Sequence, residues 1–214
     1  MDKVRHIEML CSSVQHETII DIGCGDGSVL KRLAETGFGT DLYALEVSEI
    51  PLRVMRTKEV DRVVGGVLFD GYHIPYPDDT FDLAILSHVI EHLEYPRMML
   101  HEAGRIARYV MIEVPLEDNI RLKADFSMGY AGHINFYSCK SIRYLIQSCD
   151  MTVLEQQIVN PSHRHLTESM GRIGLFFYVA KEMMLRLLPP LATRIFGYPC
   201  LLLCKKSENG RSQM

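Results

Sequence analysis

The run Thr18-Ile19-Ile20-Asp21-Ile22-Gly23-Cys24-Gly25-Asp26-Gly27 constrains the fold more than any other segment of the chain. An apolar stretch of strand length ends on an acid and passes into three glycines at alternate positions. Glycine lets the backbone turn tightly and lets a ligand approach main-chain N–H groups where a Cβ would clash. The pattern predicts a buried strand, a glycine turn and a helix from Ser28 to Thr36 with Gly37 as its C-cap. A dinucleotide fold would place G-x-G-x-x-G here, with its third glycine at 28. Position 28 is serine, so the turn reads as a cradle for a nucleoside without a pyrophosphate.

Strand-like runs recur at 18–22, 41–46, 63–68, 81–86, 109–114, 151–159 and 199–204, and helical patterns separate the first five. That alternation implies an α/β fold, doubly wound about a mostly parallel sheet of seven strands. Leu83-Ala84-Ile85-Leu86 and Val110-Met111-Ile112 are apolar throughout, as strands buried on both faces should be. Val4, Ile7, Leu10, Cys11 and Val14 share a helical face and predict an amphipathic helix on the sheet edge. Residues 160–197, between the last two strands, are too long and too apolar for an ordinary loop. Helices covering the sheet edge, a lid over an acceptor, an interface and a membrane-surface element are the readings open for them.

With 214 residues, 47% of them hydrophobic, the chain can bury one sizeable core, so 1–206 reads as one domain and 207–214 as a polar, disordered tail. A net charge of −4 argues against general binding to nucleic-acid backbones. The six cysteines include no C-x-x-C pair, which points to reduced thiols and a cytoplasmic setting. The first residues carry charges and no apolar core, so no secretory signal is expected, and no apolar run reaches the length of a membrane span.

Asp21-Ile22-Gly23-Cys24-Gly25-Asp26-Gly27 resembles the first motif of the class I S-adenosylmethionine-dependent methyltransferases. Four later segments agree in order. Tyr43-Ala44-Leu45-Glu46 is similar to that family's second strand, which ends in a carboxylate. Phe69-Asp70-Gly71 followed by Ile74-Pro75-Tyr76-Pro77-Asp78-Asp79-Thr80-Phe81-Asp82 is similar to its LPFPDNSFD block. Val89-Ile90-Glu91-His92-Leu93 is similar to its VLEHL helix start, and Ile112-Glu113-Val114-Pro115 to its fifth strand. The resemblance spans about residues 15 to 158. It implies a Rossmann-like sheet whose last strand is antiparallel, with S-adenosylmethionine as cofactor. One departure is the missing Gly-Gly turn before the fifth strand, replaced by Ile106-Ala107-Arg108-Tyr109.

Strand ends at Asp21, Glu46, Asp70 and Ser87 fall where ligands bind in such sheets. The resemblance implies that Glu46 accepts from both ribose hydroxyls and that Val47 packs on the adenine. It further implies that Asp70 accepts from the adenine amino group while the Gly71 N–H donates to the ring. Gly23 and Gly25 would lie under the methionine part, with Asp21 reaching its ammonium group. Asp26, Ser87 and His88 complete the expected cofactor set.

His88, Glu91 and His92 would share one face if helical, and could then hold a cation together with His133. Relatives with E-x-x-E-H at this place bind one, but His88 replaces the first carboxylate, so no metal is expected. The His88-x-x-Glu91-His92 spacing also matches a metalloprotease motif, which its place after a buried strand argues against. His133 and His92 are the candidate catalytic residues. An oxygen nucleophile must lose a proton, and an imidazole suits that work; His133 capping the helix expected from Ser138 to Ser148 is the competing reading. The expectation is a methyltransferase acting on a small or medium-sized acceptor at oxygen. Its rivals are a metal-assisted RNA-end 2′-O-methyltransferase and a non-catalytic nucleoside-binding protein that dimerises through Met- and Leu-rich helices. Nucleic acid is not an expected partner; a homodimer and a peripheral membrane contact through 170–197 are both compatible with the composition.

Overall fold

The computed structural model describes residues 2–58, 60–122, 132–161 and 163–207, with the side chains of 163–170 and 172 excepted. The expected disorder of 208–214 lies outside the described residues, as do the side chains of His163 and His165.

Seven strands form one sheet in the order β3-β2-β1-β4-β5-β7-β6. The strands are β1 Thr18–Ile22, β2 Asp41–Glu46, β3 Val63–Leu68, β4 Phe81–Ser87, β5 Ala107–Pro115, β6 Met151–Ile158 and β7 Pro199–Lys206. β1 to β5 pair in parallel, and β7 runs antiparallel between β5 and β6. The order reverses between β1 and β4, so the crevice beyond their carboxyl ends is where this topology places a ligand. Register brings the strand ends level: Asp21 stands beside Ala44 and Ile85, and Ser87 beside Glu113.

Helices close both faces. α1 (Asp2–Cys11) buries Val4, Ile7, Leu10 and Cys11 and shares a core with α2 (Ser28–Thr36) and α3 (Glu49–Thr57). Ile7 and Leu10 are fully buried, and each such side chain contributes about 1.5–3 kcal/mol. α1 starts earlier than its apolar pattern predicts and stops at Cys11, where the chain turns back through a Val14 N–H to Cys11 carbonyl bond. Gly66 in β3 sits under α3, where a Cβ would come within 2.7 Å of Leu52 and 2.5 Å of Met55.

The other face carries α4 (Pro96–Ile106) and α5 (Cys139–Gln147). α4 passes straight into β5 at Ala107, which is why the Gly-Gly turn is dispensable. Ser138 caps α5, accepting from the Ser141 N–H while the Ser141 hydroxyl accepts from the Ser138 N–H. His133 therefore does not cap this helix, which removes the competing reading of that residue.

Between β6 and β7 the chain forms α6 (His163–Leu187), kinked at Gly171, and α7 (Pro189–Ile195). Pro189 and Pro190 end α6, since proline cannot donate into it, and start α7 with a ready-set φ. Because Ile158 pairs with Cys200 and Pro115 with Pro199, α6 and α7 rise from the carboxyl end of β5, the same end as the crevice.

Candidate functional site

The glycine turn is built by its neighbours. The N–H groups of Gly23 and Cys24 both donate to the Leu45 carbonyl, tying the turn to the end of β2. Gly23, Gly25 and Gly27 all have positive φ, which side chains disfavour. Gly27 also packs against α3, where a Cβ would lie 2.2 Å from Met55 Cγ. Gly25 faces open space, so its backbone is free to approach a ligand. A cleft of about 570 Å³ opens here, lined by Lys3, Asp21, Gly23, Gly25, Val29 and Ser87 among others.

Glu46, 7% exposed, holds this wall of the cleft. One carboxylate oxygen accepts from the Gly25 N–H at 2.8 Å, and the other accepts from the Val47 and Ser48 N–H groups at 2.9 and 3.0 Å. The acid thus joins the glycine turn to the start of α3. Its oxygens retain lone pairs for further donors.

Asp21 is buried, and no described side chain hydrogen-bonds to it. Burial pushes its carboxyl up to about 7, with Lys3 acting to lower it and Glu46 to raise it. Lys3 reaches the rim from α1, 3.5 Å from the Ser87 carbonyl. Asp26 lines the cleft, but Lys58 Nζ at 2.7 Å and Ser28 hold its carboxylate, keeping it down near 2. Its charge anchors the turn and leaves little for a ligand.

On the far side of Glu46, Val47 is 57% exposed and touches Gly71, where a Cβ would stand 3.4 Å from Val47 Cγ1. Gly71 has φ of 93°, so only glycine leaves this slot both open and unstrained. Asp70 is exposed and accepts from the Tyr72 and His73 N–H groups and from the His73 ring. Its Oδ2 keeps room for one more donor.

The histidines separate into two groups. His88 is not helical: its φ is +59°, and only a short 3-10 turn, Ile90–His92, follows. The expected common face of His88, Glu91 and His92 is therefore corrected. His88 Nδ1 lies 3.0 Å from Glu91 Oε1, and its Nε2 lies 3.8 Å from Glu113. Burial opposes charge on His88, but these two carboxylates outweigh it and raise the imidazole to about 9. Glu113 also receives the Ser87 hydroxyl at 2.8 Å and lies 2.9 Å from His6 Nδ1 on α1. Burial would raise Glu113, yet His6, His88 and Ser87 hold it far below the usual carboxylate range. This buried network takes His88 out of any shared cation site.

The second group is Glu91, His92 and His133. The N–H groups of Ile134 and Asn135 both donate to the Glu91 carbonyl, strapping the 132–138 segment onto the 3-10 turn. The His92 and His133 rings meet edge to face at 4.8 Å. One ligand atom from each of Glu91, His92 and His133 lies within 4.8 Å of the others. Glu91 is fully buried, and its Oε2 has no hydrogen-bond partner among the described residues. His133 Nδ1 lies 2.6 Å from Glu117 Oε2. An Nδ1–H donated to Glu117 leaves Nε2 as the basic atom.

Lys3, His6, Glu113 and Glu117 were not singled out by sequence. Glu113 did carry a cue, since an acid inside Met111-Ile112-Glu113-Val114 must find partners when that strand is buried. Lys3, His6 and Glu117 carry none, because their partners lie 84, 107 and 16 residues away.

A sequence model described as a methyltransferase domain matches residues 5–156. The chain is 25% identical over 169 positions to the ubiquinone/menaquinone biosynthesis C-methyltransferase UbiE of Cupriavidus pinatubonensis, covering 73% of this chain and 66% of that one. It thus spans just under two thirds of that relative's length. Its backbone superposes on phosphoethanolamine N-methyltransferase 2 of Haemonchus contortus with a TM-score of 0.72 at 16% identity, covering 97% of this chain and 52% of that one. The cyclase SpnF superposes with a TM-score of 0.70 at 14% identity, covering 96% and 81%.

Proposed function

The chain belongs to the methyltransferase-domain family, and from that premise we propose that it methylates a small or medium-sized acceptor at oxygen, using S-adenosylmethionine. One observation carries this reading: Glu46 and the glycine turn are locked together beside a cleft that also holds the buried Asp21, to which no described side chain hydrogen-bonds. The cleft offers open backbone under a ligand and the Asp21 carboxylate for an ammonium group, and Glu46 behind the glycine turn offers a carboxylate for vicinal hydroxyls. The Val47–Gly71 slot suits a flat apolar ring.

The bound cofactor would supply a methyl group already activated on a sulfonium centre. The protein's own work is then alignment and proton removal. His133, oriented by Glu117, would accept the acceptor's proton at Nε2, and His92 beside it would position the acceptor. A carbon acid must lose a proton as well. The name of the Cupriavidus relative therefore supports carbon as the alternative acceptor atom with the same base.

A metal-assisted reaction is the second reading, favoured by a buried Glu91, whose Oε2 has no hydrogen-bond partner among the described residues, beside the imidazoles of His92 and His133. Two histidines and one carboxylate suit zinc, manganese or iron better than magnesium. Titration calorimetry tests the main reading: S-adenosylmethionine and S-adenosylhomocysteine should bind, and NAD should not. Tight NAD binding with no response to the methyl donor would refute it.

A further inference from the structure

The outer face of α6 is apolar and bare. After the kink at Gly171, Ile173, Phe176, Val179, Met183 and Leu187 are 63, 73, 46, 56 and 71% exposed. Leu191 on α7 adds 44%. Plotted at 100° per residue, these five positions of α6 fall within about 120° of the helix, the width of stripe a globular helix turns to a core, here turned to solvent. Among the described residues, α6 exposes seven large apolar side chains and α7 adds Leu191, a concentration of the kind that marks a protein or membrane contact.

This orientation is fixed. Lys181 Nζ donates to the Gly197 carbonyl at 3.1 Å and stands 4.5 Å over the Tyr198 ring. The Tyr198 hydroxyl donates to the Lys181 carbonyl, and the Asn160 amide to the Tyr178 carbonyl. The inner face of α6 is thereby pinned to the body, which leaves the apolar arc outside.

Charge selects the occupant. In sequence, residues 171–198 carry Arg172, Lys181, Arg186 and Arg194 against Glu182 alone, and with Lys181 turned to the body the basic groups exposed on the outer side are Arg186 and Arg194. Arg186 and Arg194 are exposed beside the apolar arc, and Glu182 is paired to Arg186 at 2.7 Å. Two copies meeting through this face would bring like charges together. An anionic bilayer complements both features, because acyl chains accept the arc and headgroups the arginines. Among the described residues no helix is long and apolar enough to cross a membrane, so α6 would lie on the surface.

We propose that α6 and α7 dock the protein on an anionic lipid surface. Because these helices rise from the same end of the sheet as the cofactor cleft, the cleft is then held at the headgroup level. The acceptor is an amphiphile or lipid-linked molecule that reaches the cleft without leaving the bilayer. Surface docking stands without the methyl-transfer reading; only the nature of the acceptor rests on it.

The chain has no tryptophan, so Phe176→Trp creates a single reporter on the arc. Phosphatidylcholine vesicles containing phosphatidylglycerol should blue-shift its emission. Pure phosphatidylcholine should bind tenfold or more weakly, since each basic side chain at an anionic surface is worth about fivefold. In the otherwise native chain, F176E with L187E should abolish co-sedimentation with anionic vesicles and leave the melting temperature and S-adenosylhomocysteine affinity unchanged. Unshifted emission together with no co-sedimentation of the native chain would overturn the proposal. So would a concentration-dependent dimer in sedimentation velocity that the same double variant dissolves, for this face would then belong to a second copy. Loss of S-adenosylhomocysteine binding by the native chain would instead count against the methyl-transfer reading and leave docking untouched.

Discussion

Replacing Glu46 by alanine removes three acceptor contacts at once, and the structure gives each a different weight. Val47 and Ser48 are exposed, so water takes over as acceptor for their N–H groups and little is lost there. Gly25 sits in the turn itself, and its bond to a carboxylate only 7% exposed dominates. A hydrogen bond to a charged group contributes about 1.5–3 kcal/mol, so the unliganded E46A protein should lose about 2 kcal/mol. For a domain of this size that lowers the melting temperature by about 4–8 °C. Ribose hydroxyls that lose the same acceptor should weaken S-adenosylhomocysteine binding by a further 1–3 kcal/mol, roughly 5- to 150-fold. E46Q keeps one carbonyl oxygen and should fall between the two. Urea denaturation measures the first quantity and titration calorimetry the second. A protein that keeps its stability within a few tenths of a kcal/mol and also its affinity would refute both roles for Glu46.

Asp21 titrates near 7 when folded against an ordinary 3.8, so its contribution to stability is full below about 4 and is lost as pH rises through 7. Asp21→Asn should therefore melt higher than the native chain at pH 8 and equally at low pH. In the native chain, affinity for the cofactor's ammonium end should fall as pH drops below about 7, and D21N should abolish that dependence; calorimetry across pH decides. His133→Ala should lower turnover about 10²-fold with cofactor affinity unchanged, and Glu117→Gln should shift the pH–rate profile, because Glu117 acts only through His133. An unchanged rate in H133A would remove His133 from the chemistry. Chelation should leave methyl transfer intact; activity lost to chelator and restored by a divalent ion would promote the Glu91, His92 and His133 cluster instead.

The places of the seven strands, to within two residues, and the glycine turn were legible in the sequence because their causes are local. Apolar runs buried on both faces give β4 and β5 their lengths, and alternate glycines at 23, 25 and 27 must form a positive-φ turn. Glu46 was legible because a strand that ends beside that turn carries its last side chain to the same place. The histidines were not. Helical spacing put His88, Glu91 and His92 on one face, but a positive φ at His88 breaks the phase before the 3-10 turn begins.

His88 then answers to Glu113 and Glu91, while His133 answers to Glu117. These pairings depend on β4 lying beside β5 and on the 132–138 segment being strapped to the Glu91 carbonyl. The sequence by itself determined the sheet, the glycine cradle and the carboxylates at the strand ends, because each follows from residues within a few positions of one another. Only the tertiary structure decided which acid each histidine meets, which charge reaches Asp21 from α1, and which face of α6 stays bare. Those outcomes depend on contacts between distant segments, whose electrostatics and packing no local pattern encodes.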